Sequence, residues 1–238
     1  MGLLYRLNLI LIIGITATDE EFENQMFITL EGIEGSGKTT QIDYLVKYFE
    51  KQGRQCVTTR EPGGTSIGGK IRAILLDPES KDLDPIGELL LYMADRAQHI
   101  NSVIKPAVAA GKTVICDRYF DATVVYQGFA RELDVGVIRQ LHALLFNDLK
   151  PDLTFLLDLE PREGLARAWK QLNDGQRSGG ESRFEEETLA FHEKVRAGYL
   201  ELARLEPNRF CIIDAIRDVR QVRDDIYNEL TAFLGRLS

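Results

Sequence analysis

Residues 27–40 read FITLEGIEGSGKTT, and this stretch decides the fold. FITLE is a short apolar run with the β-branched and aromatic content of a strand. Directly after it, Gly32-Ile33-Glu34-Gly35-Ser36-Gly37-Lys38-Thr39 fits the pattern G-x-x-x-x-G-K-[ST]. A strand, a glycine-rich turn and a helix start in that order make a phosphate-binding loop. The glycines let backbone N–H groups converge on phosphate oxygens, and the helix N-terminus adds positive potential. The expected nucleotide-binding set is Gly32, Ile33, Glu34, Gly35, Ser36, Gly37, Lys38, Thr39 and Thr40. Lys38 is expected on the β- and γ-phosphates and the Thr39 hydroxyl on Mg²⁺. ATP or GTP is the ligand class. The base-reading motif N-K-x-D of GTPase switches is absent, since no Asn in the chain precedes Lys.

Outward from this loop, short apolar runs alternate with longer helical patterns. Strands are predicted at 27–31, 55–59, 113–117, 153–159 and 209–214. Helices are predicted near 38–52, 66–76, 83–110, 135–148, 161–172, 185–205 and 218–236. The strands are apolar almost throughout, as in a parallel sheet covered on both faces. The alternation predicts a doubly wound α/β domain, a five-stranded parallel sheet with helices on both faces. A Gly-rich polar interruption, NDGQRSGGES at 173–182, reads as a loop between two helices and carries Arg177.

Composition bounds the rest. The chain has 238 residues and a net charge of −8, with 29 Lys and Arg against 37 Asp and Glu. That balance argues against a broad basic face for nucleic acid. Cys56, Cys116 and Cys211 form no C-x-x-C and read as reduced core thiols. His99, His142 and His192 lack metal-ligand spacing. Residues 1–25 differ in character from the rest of the chain: LNLILIIGITAT at 7–18 has no charge and precedes Asp19, Glu20, Glu21 and Glu23. Twelve apolar residues are too few for a membrane span, which needs about 20. This extension is expected to be a loose segment or an upstream start, with Met26 opening the core of 26–238. No membrane partner is expected for that core.

In open α/β sheets, ligands lie beyond the carboxyl ends of the strands. The second strand is followed by Arg60-Glu61-Pro62-Gly63-Gly64-Thr65, and the third ends in Asp117-Arg118-Tyr119. A carboxylate there can hold Mg²⁺ or its waters, and an arginine can clamp phosphates. Arg60, Arg72, Arg96 and Arg118 feed this end of the sheet in an acidic chain, which suggests a second anionic ligand beside the nucleotide. Tyr92 and Arg96 are four apart, hence on one helix face. The late loop adds Arg177 and Arg183, either of which could close on a transferring phosphate.

Together the segments FITLEGIEGSGKTTQ, TREPGGT, IRAILLD, ICDRYFDATVVYQG and SRFEEETLAFHEKVRAGYLELA resemble bacterial thymidylate kinase, in that family's order and over essentially all of 26–238. The resemblance implies a P-loop nucleoside monophosphate kinase fold with a small lid at about 173–184. It implies Mg²⁺-dependent transfer of the ATP γ-phosphoryl group to dTMP in dTTP biosynthesis, by a cytoplasmic homodimer. Carried over by motif, Glu34 lies near Mg²⁺ and the acceptor sugar, beside Thr39 and Asp117 as the metal set. Glu61 and Arg72 lie near the acceptor nucleotide and its phosphate, and Arg118 bridges donor and acceptor phosphates. Tyr92 stacks on thymine and Arg96 hydrogen-bonds it. Thr123 and Gln127 line the base, and Tyr126 crowds the 2′ position of the sugar. Arg183 matches the lid arginine and is preferred to Arg177. The catalytic set is therefore Lys38, Arg118, Arg183, Glu34 and Asp117. Two positions depart from the pattern: Ala122 stands where serine is usual, and Tyr92 where Phe is usual. A kinase of another monophosphate or of a deoxynucleoside, a membrane-associated nucleotide-binding regulator, and a degenerate kinase retained as an assembly partner are the alternatives.

Overall fold

The computed structural model describes residues 26–175 and 179–236. Strands β1 (Phe27–Glu31), β2 (Cys56–Arg60), β3 (Thr113–Asp117), β4 (Leu153–Asp158) and β5 (Phe210–Asp214) form one sheet. Their order is β2-β3-β1-β4-β5, and every pairing is parallel. The three inner strands are buried along nearly their whole length, whereas the edge strands β2 and β5 are partly exposed. Burial on both faces is what the uninterrupted apolar runs require. The expectation of a five-stranded parallel sheet flanked by helices holds, and β1 and β3 keep their predicted bounds.

The long helices are α1 (Lys38–Glu50), α2 (Ser66–Leu76), α3 (Pro85–His99), α6 (Val135–Phe146), α7 (Pro161–Asn173), α8 (Leu189–Leu205) and α9 (Val219–Gly235), with short α4 (Lys105–Ala109) and α5 (Phe120–Thr123) between. Side-chain caps set several starts. Asp84 accepts from Ile86 and Gly87, Thr188 from Phe191, and Asp218 forms a capping box with Gln221.

Two predictions need correction. The single helix expected over 83–110 is α3 and α4 joined by a π-helical stretch, Ile100–Ile104. Pro106 has no N–H for the Ser102 carbonyl, so the ladder widens there. The second is a helical segment with no counterpart in the sequence reading: α5 continues as a π-helix, Val124–Ala130. Thr123, Val124 and Val125 favour strands and Gly128 breaks helices, so local propensity points elsewhere. Packing against α8 overrides it, and Gly198 permits the approach: a Cβ there would lie 3.0 Å from the Phe129 ring. The expectations for 1–25 fall outside the described residues.

Candidate active site

The carboxyl ends of β1, β2 and β3 open into a cleft of about 570 Å³. Its donor side is the loop between β1 and α1. Gly35 has a φ of +70°, and a Cβ on it would lie 2.1 Å from the Gly164 carbonyl oxygen. Gly37 caps α1 with a φ of 94° and no side-chain bond, so the first N–H groups of the helix face the loop without a built-in partner. Lys38 Nζ donates to the carbonyls of Gly32 at 3.0 Å and Ile33 at 2.9 Å, and to Ser36 Oγ at 3.3 Å. Burial and the neighbouring Arg118 push its ammonium down to about 8. Thr39 Oγ1 donates to Asp117 Oδ2 at 3.4 Å, which joins the loop to the end of β3.

Arg118 is the bridge across the cleft. Its φ of 65° lies in the left-handed region, unusual for a side-chain-bearing residue, and turns the chain sharply after β3. From there its guanidinium donates to the Gly32 carbonyl at 3.1 Å, Glu34 Oε1 at 2.8 Å and the Tyr126 hydroxyl at 3.1 Å. Tyr126 donates in turn to Glu34 Oε1 at 2.7 Å. Burial alone would raise the Glu34 carboxyl; Arg118, His192 and Lys38 outweigh it and hold Glu34 ionised.

The acceptor side is a buried charge network. Arg96, fully buried, donates to Glu61 Oε2 at 2.8 Å and to Thr123 Oγ1 at 2.9 Å. The other Glu61 oxygen accepts from His99 Nδ1 at 2.7 Å, and the far side of that ring meets Thr59 Oγ1 at 2.6 Å. Burial pushes the Glu61 carboxyl up, but Arg96 and His99 bring it below its ordinary value. Asp95, against the Gly63 N–H, is raised to about 6 by burial and by Glu61. Gln127 donates to the wholly buried Glu88 at 2.8 Å. Tyr92 and Ala122 line the same cleft. Arg72 forks onto both oxygens of Glu181, at 2.9 and 2.8 Å, and reaches the Pro62 carbonyl at 3.0 Å.

Most of the predicted side chains therefore converge: Glu34, Lys38, Thr39, Thr40, Glu61, Arg72, Tyr92, Arg96, Asp117, Arg118, Thr123, Tyr126 and Gln127 line one cleft. Arg183 does not. Its guanidinium pairs with Glu88 at 2.7 Å and bonds the Leu75 carbonyl at 3.0 Å, while its backbone N–H bonds the Leu76 carbonyl at 3.2 Å. A buried arginine held at both backbone and head anchors the base of the 179–188 segment to α2 and α3. The expectation that it faces the reacting phosphates is corrected for this conformation. Arg177, the other candidate, lies outside the described residues. The 179–188 segment instead brings Glu181, Phe184 and Glu185 to the cleft wall.

Three residues escape the sequence reading. Glu88 gathers Gln127, Arg131 and Arg183. It stands four before Tyr92 and eight before Arg96, a helical spacing that signals a shared face. Glu181 partners Arg72 across more than a hundred residues of sequence, with no local signal. His192 touches Glu34.

A parallel sheet with a G-x-x-x-x-G-K-T loop after its central strand, facing a second cleft wall of arginines and aromatics, defines a P-loop nucleoside monophosphate kinase. Comparison with known proteins narrows this class. The thymidylate kinase family profile matches residues 30–226. A thymidylate kinase from Desulfosudis oleivorans is 55% identical over 197 residues, covering 83% of this chain and 92% of the relative. One from Geotalea uraniireducens is 49% identical over 212 residues, covering 89% and 98%. The crystal structure of the thymidylate kinase from Ehrlichia chaffeensis superposes with a TM-score of 0.69 at 34% identity, over 87% of this chain and 99% of that one. The chain belongs to the thymidylate kinase family, whose members move a phosphoryl group from ATP to dTMP and release dTDP and ADP.

Proposed function

We propose that this chain performs that reaction with the labour divided between the two sides of the cleft. Lys38 exchanges its bonds to Gly32, Ile33 and Ser36 for β- and γ-phosphate oxygens when ATP enters. Arg118, within reach of both the loop and the Tyr126 side, binds the oxygens of donor and acceptor phosphates and neutralises charge as it spreads in the transition state. Glu34 orients Arg118 and the acceptor sugar. The acceptor monophosphate is itself the nucleophile, so no obligatory protein base is invoked; catalysis is positioning and charge neutralisation. Arg72 receives the acceptor phosphate in place of Glu181. Arg96, Thr123 and Gln127 present donors and acceptors to the edge of the thymine ring, with Tyr92 on its face. The Tyr126 ring occupies space beside the sugar that a 2′-hydroxyl would need. The observation that carries this reading is the Arg118–Glu34–Tyr126 triad, which joins the loop to the acceptor wall through bonds of 2.7 to 3.1 Å.

The donor set suits Mg²⁺. Among the described residues no cluster of three His, Cys, Asp or Glu is placed to hold a metal. Mg²⁺ needs none, because it keeps waters and takes phosphate oxygens beside one or two protein oxygens. The Thr39 hydroxyl and Asp117 supply those, and Asp117 Oδ1 is buried with no protein partner. Bound there with ATP, Mg²⁺ would supply charge neutralisation at the phosphates.

A second copy of the chain completes the assembly. Ile67 and Ile74 on α2, Ile86 and Leu90 on α3, and Val137, Leu144 and Leu145 on α6 are all at least 49% exposed. α3 packs against both α2 and α6, and exposed apolar side chains on these adjoining helices fit a homodimer contact. No helix among the described residues is long and apolar enough to cross a membrane. A cytoplasmic location is part of this proposal, because the reaction draws on nucleotide substrates.

The test is ADP release with Mg-ATP and a panel of dTMP, dUMP, CMP, GMP, AMP and thymidine. Strong turnover on dTMP, weaker on dUMP and slight without acceptor is the expected pattern. Turnover led by another acceptor would overturn the assignment of the base-side residues, and ATP binding without turnover on any acceptor would favour a regulator.

A further inference from the structure

Each inner strand ends in a carboxylate: β1 in Glu31, β3 in Asp117 and β4 in Asp158. Asp117 and Asp158 are partly exposed, whereas Glu31 is wholly buried. A buried carboxyl group is costly unless its oxygens are bonded. Glu31 bonds both. Its Oε1 accepts from the backbone N–H of Tyr119 at 2.8 Å, and its Oε2 accepts from the hydroxyl of Tyr199, on α8, at 2.7 Å. Neither Glu31 nor Tyr199 lines the cleft, so this network lies behind the site and touches no substrate.

The bond to Tyr119 falls where β3 leaves the sheet. The Arg118 N–H still bonds the Leu30 carbonyl of β1, at 3.0 Å. At Arg118 the φ of 65° turns the chain, and the next N–H, that of Tyr119, finds the Glu31 side chain in place of a backbone carbonyl. The Arg118 carbonyl accepts from the Cys116 thiol at 2.9 Å, and its guanidinium reaches the Gly32 carbonyl at 3.1 Å. Three consecutive residues, Leu30, Glu31 and Gly32, thus hold Arg118 before its turn, after it and at its head. A left-handed backbone at a residue with a Cβ costs free energy and persists only where its surroundings fix it. An apolar side chain at position 31 would leave the buried Tyr119 N–H without an acceptor and release the turn. Because the turn lies at the root of a long side chain, a small change in φ there displaces the guanidinium far more than it displaces the backbone.

We propose that Glu31 is a positioning residue for phosphoryl transfer: held by Tyr199, its side chain fixes the left-handed turn that aims the Arg118 guanidinium into the cleft. The inference rests on the proposed role of Arg118. Glu34 and Tyr126 hold the head of that side chain, and Glu31 holds the backbone from which it springs.

The experiment uses the full chain. Glu31→Met keeps the length of the side chain and removes the acceptor. It should lower kcat at saturating ATP and dTMP on the order of 10²-fold, with both KM values changed less than about threefold. Glu31→Gln keeps a carbonyl oxygen for the Tyr119 N–H and turns its amide N–H toward the Tyr199 oxygen, so kcat should stay within about fivefold of the unaltered chain. Tyr199→Phe frees one end of the carboxyl group and should lower kcat about fivefold. Added to Arg118→Ala, neither Glu31→Met nor Tyr199→Phe should cost further rate, because no guanidinium is left to aim. Several results overturn the proposal: a folded Glu31→Met whose kcat stays within about threefold, even with thermal stability reduced; a Gln variant no faster than the Met variant; or multiplicative losses on the Arg118→Ala background. Near-normal turnover by Arg118→Ala alone is a different failure, which removes the site reading itself. Where Glu31→Met does not fold, Tyr199→Phe decides. A kcat loss that disappears on the Arg118→Ala background supports the proposal, and no loss, or one that persists there, overturns it.

Discussion

The two walls of the cleft are built by different means. The donor wall is almost all backbone: eight consecutive residues, Gly32 to Thr39, whose glycines and helix N-terminus make the anion site wherever a strand delivers them. The acceptor wall is almost all side chain. It draws Glu61 from the turn after β2, Arg72 from α2, Tyr92 and Arg96 from α3, and Thr123 and Gln127 from the segment after β3. Three arginines of the cleft are held by carboxylates: Arg96 by Glu61 and Arg72 by Glu181 on this wall, and the bridging Arg118 by Glu34. A backbone site is general for nucleotide phosphates. A site of paired, buried side chains is rigid and selective, and it fails when one partner is removed.

The largest expected effect falls on the donor wall. Lys38→Ala should reduce kcat by ~10³ or more while leaving the melting temperature within a few degrees, because the backbone loop survives without its ammonium. Kinetics and thermal melts check both halves, and a variant that turns over at near-normal rate would remove Lys38 from the chemistry. On the acceptor wall the balance should reverse. Glu61→Ala leaves Arg96 and His99 buried without their carboxylate and should cost about 3–5 kcal/mol of stability, read by denaturant titration. A loss below about 1 kcal/mol would show that water enters and that the network is not a closed one.

Arg183→Ala sharpens the comparison further. Glu88 keeps Gln127 and Arg131, so the loss should be smaller, about 2 kcal/mol, with kcat changed less than about threefold. A collapse in kcat at unchanged stability would instead return Arg183 to the reacting phosphates, in a conformation other than this one. The smallest signal is a proton. With Lys38 near 8 in the free protein, ATP phosphates favour its charged form and raise that value. At pH 8 binding should take up ~0.5 proton, and only ~0.1 at pH 7, from the Lys38 titration alone. Calorimetry in buffers of different ionisation enthalpy measures this, and Lys38→Arg should abolish it.

The same contrast explains how far the sequence can be read. The phosphate loop and the strand-end Asp117-Arg118 are local patterns with strong physical reasons, and the sheet follows from five apolar runs. Val124–Ala130 is invisible in the sequence because its β-branched residues contradict the helix that α8 imposes. Thr123, Tyr126 and Gln127 are assigned by resemblance, while the helical segment that presents them leaves no local signal. Glu88, Glu181 and His192 act through partners far along the chain: Glu88 reaches Gln127 and Arg183, Glu181 reaches Arg72, and His192 reaches Glu34. Such long-range pairing leaves no local signal, although the spacing of Glu88 to Tyr92 and Arg96 marks a shared helix face. Arg183 shows the converse, since its motif position points to the phosphates and its partner Glu88 draws it into the interior.

The central claim is that Arg118, set by Glu34 and Tyr126, couples the two walls during transfer. Its most direct test is the single-turnover rate of dTDP formation by Arg118→Ala with both substrates saturating and the fold verified. A fall of ~10³ relative to the unaltered chain, with ATP still bound, is the predicted result. A rate within a few-fold of the unaltered chain would contradict it.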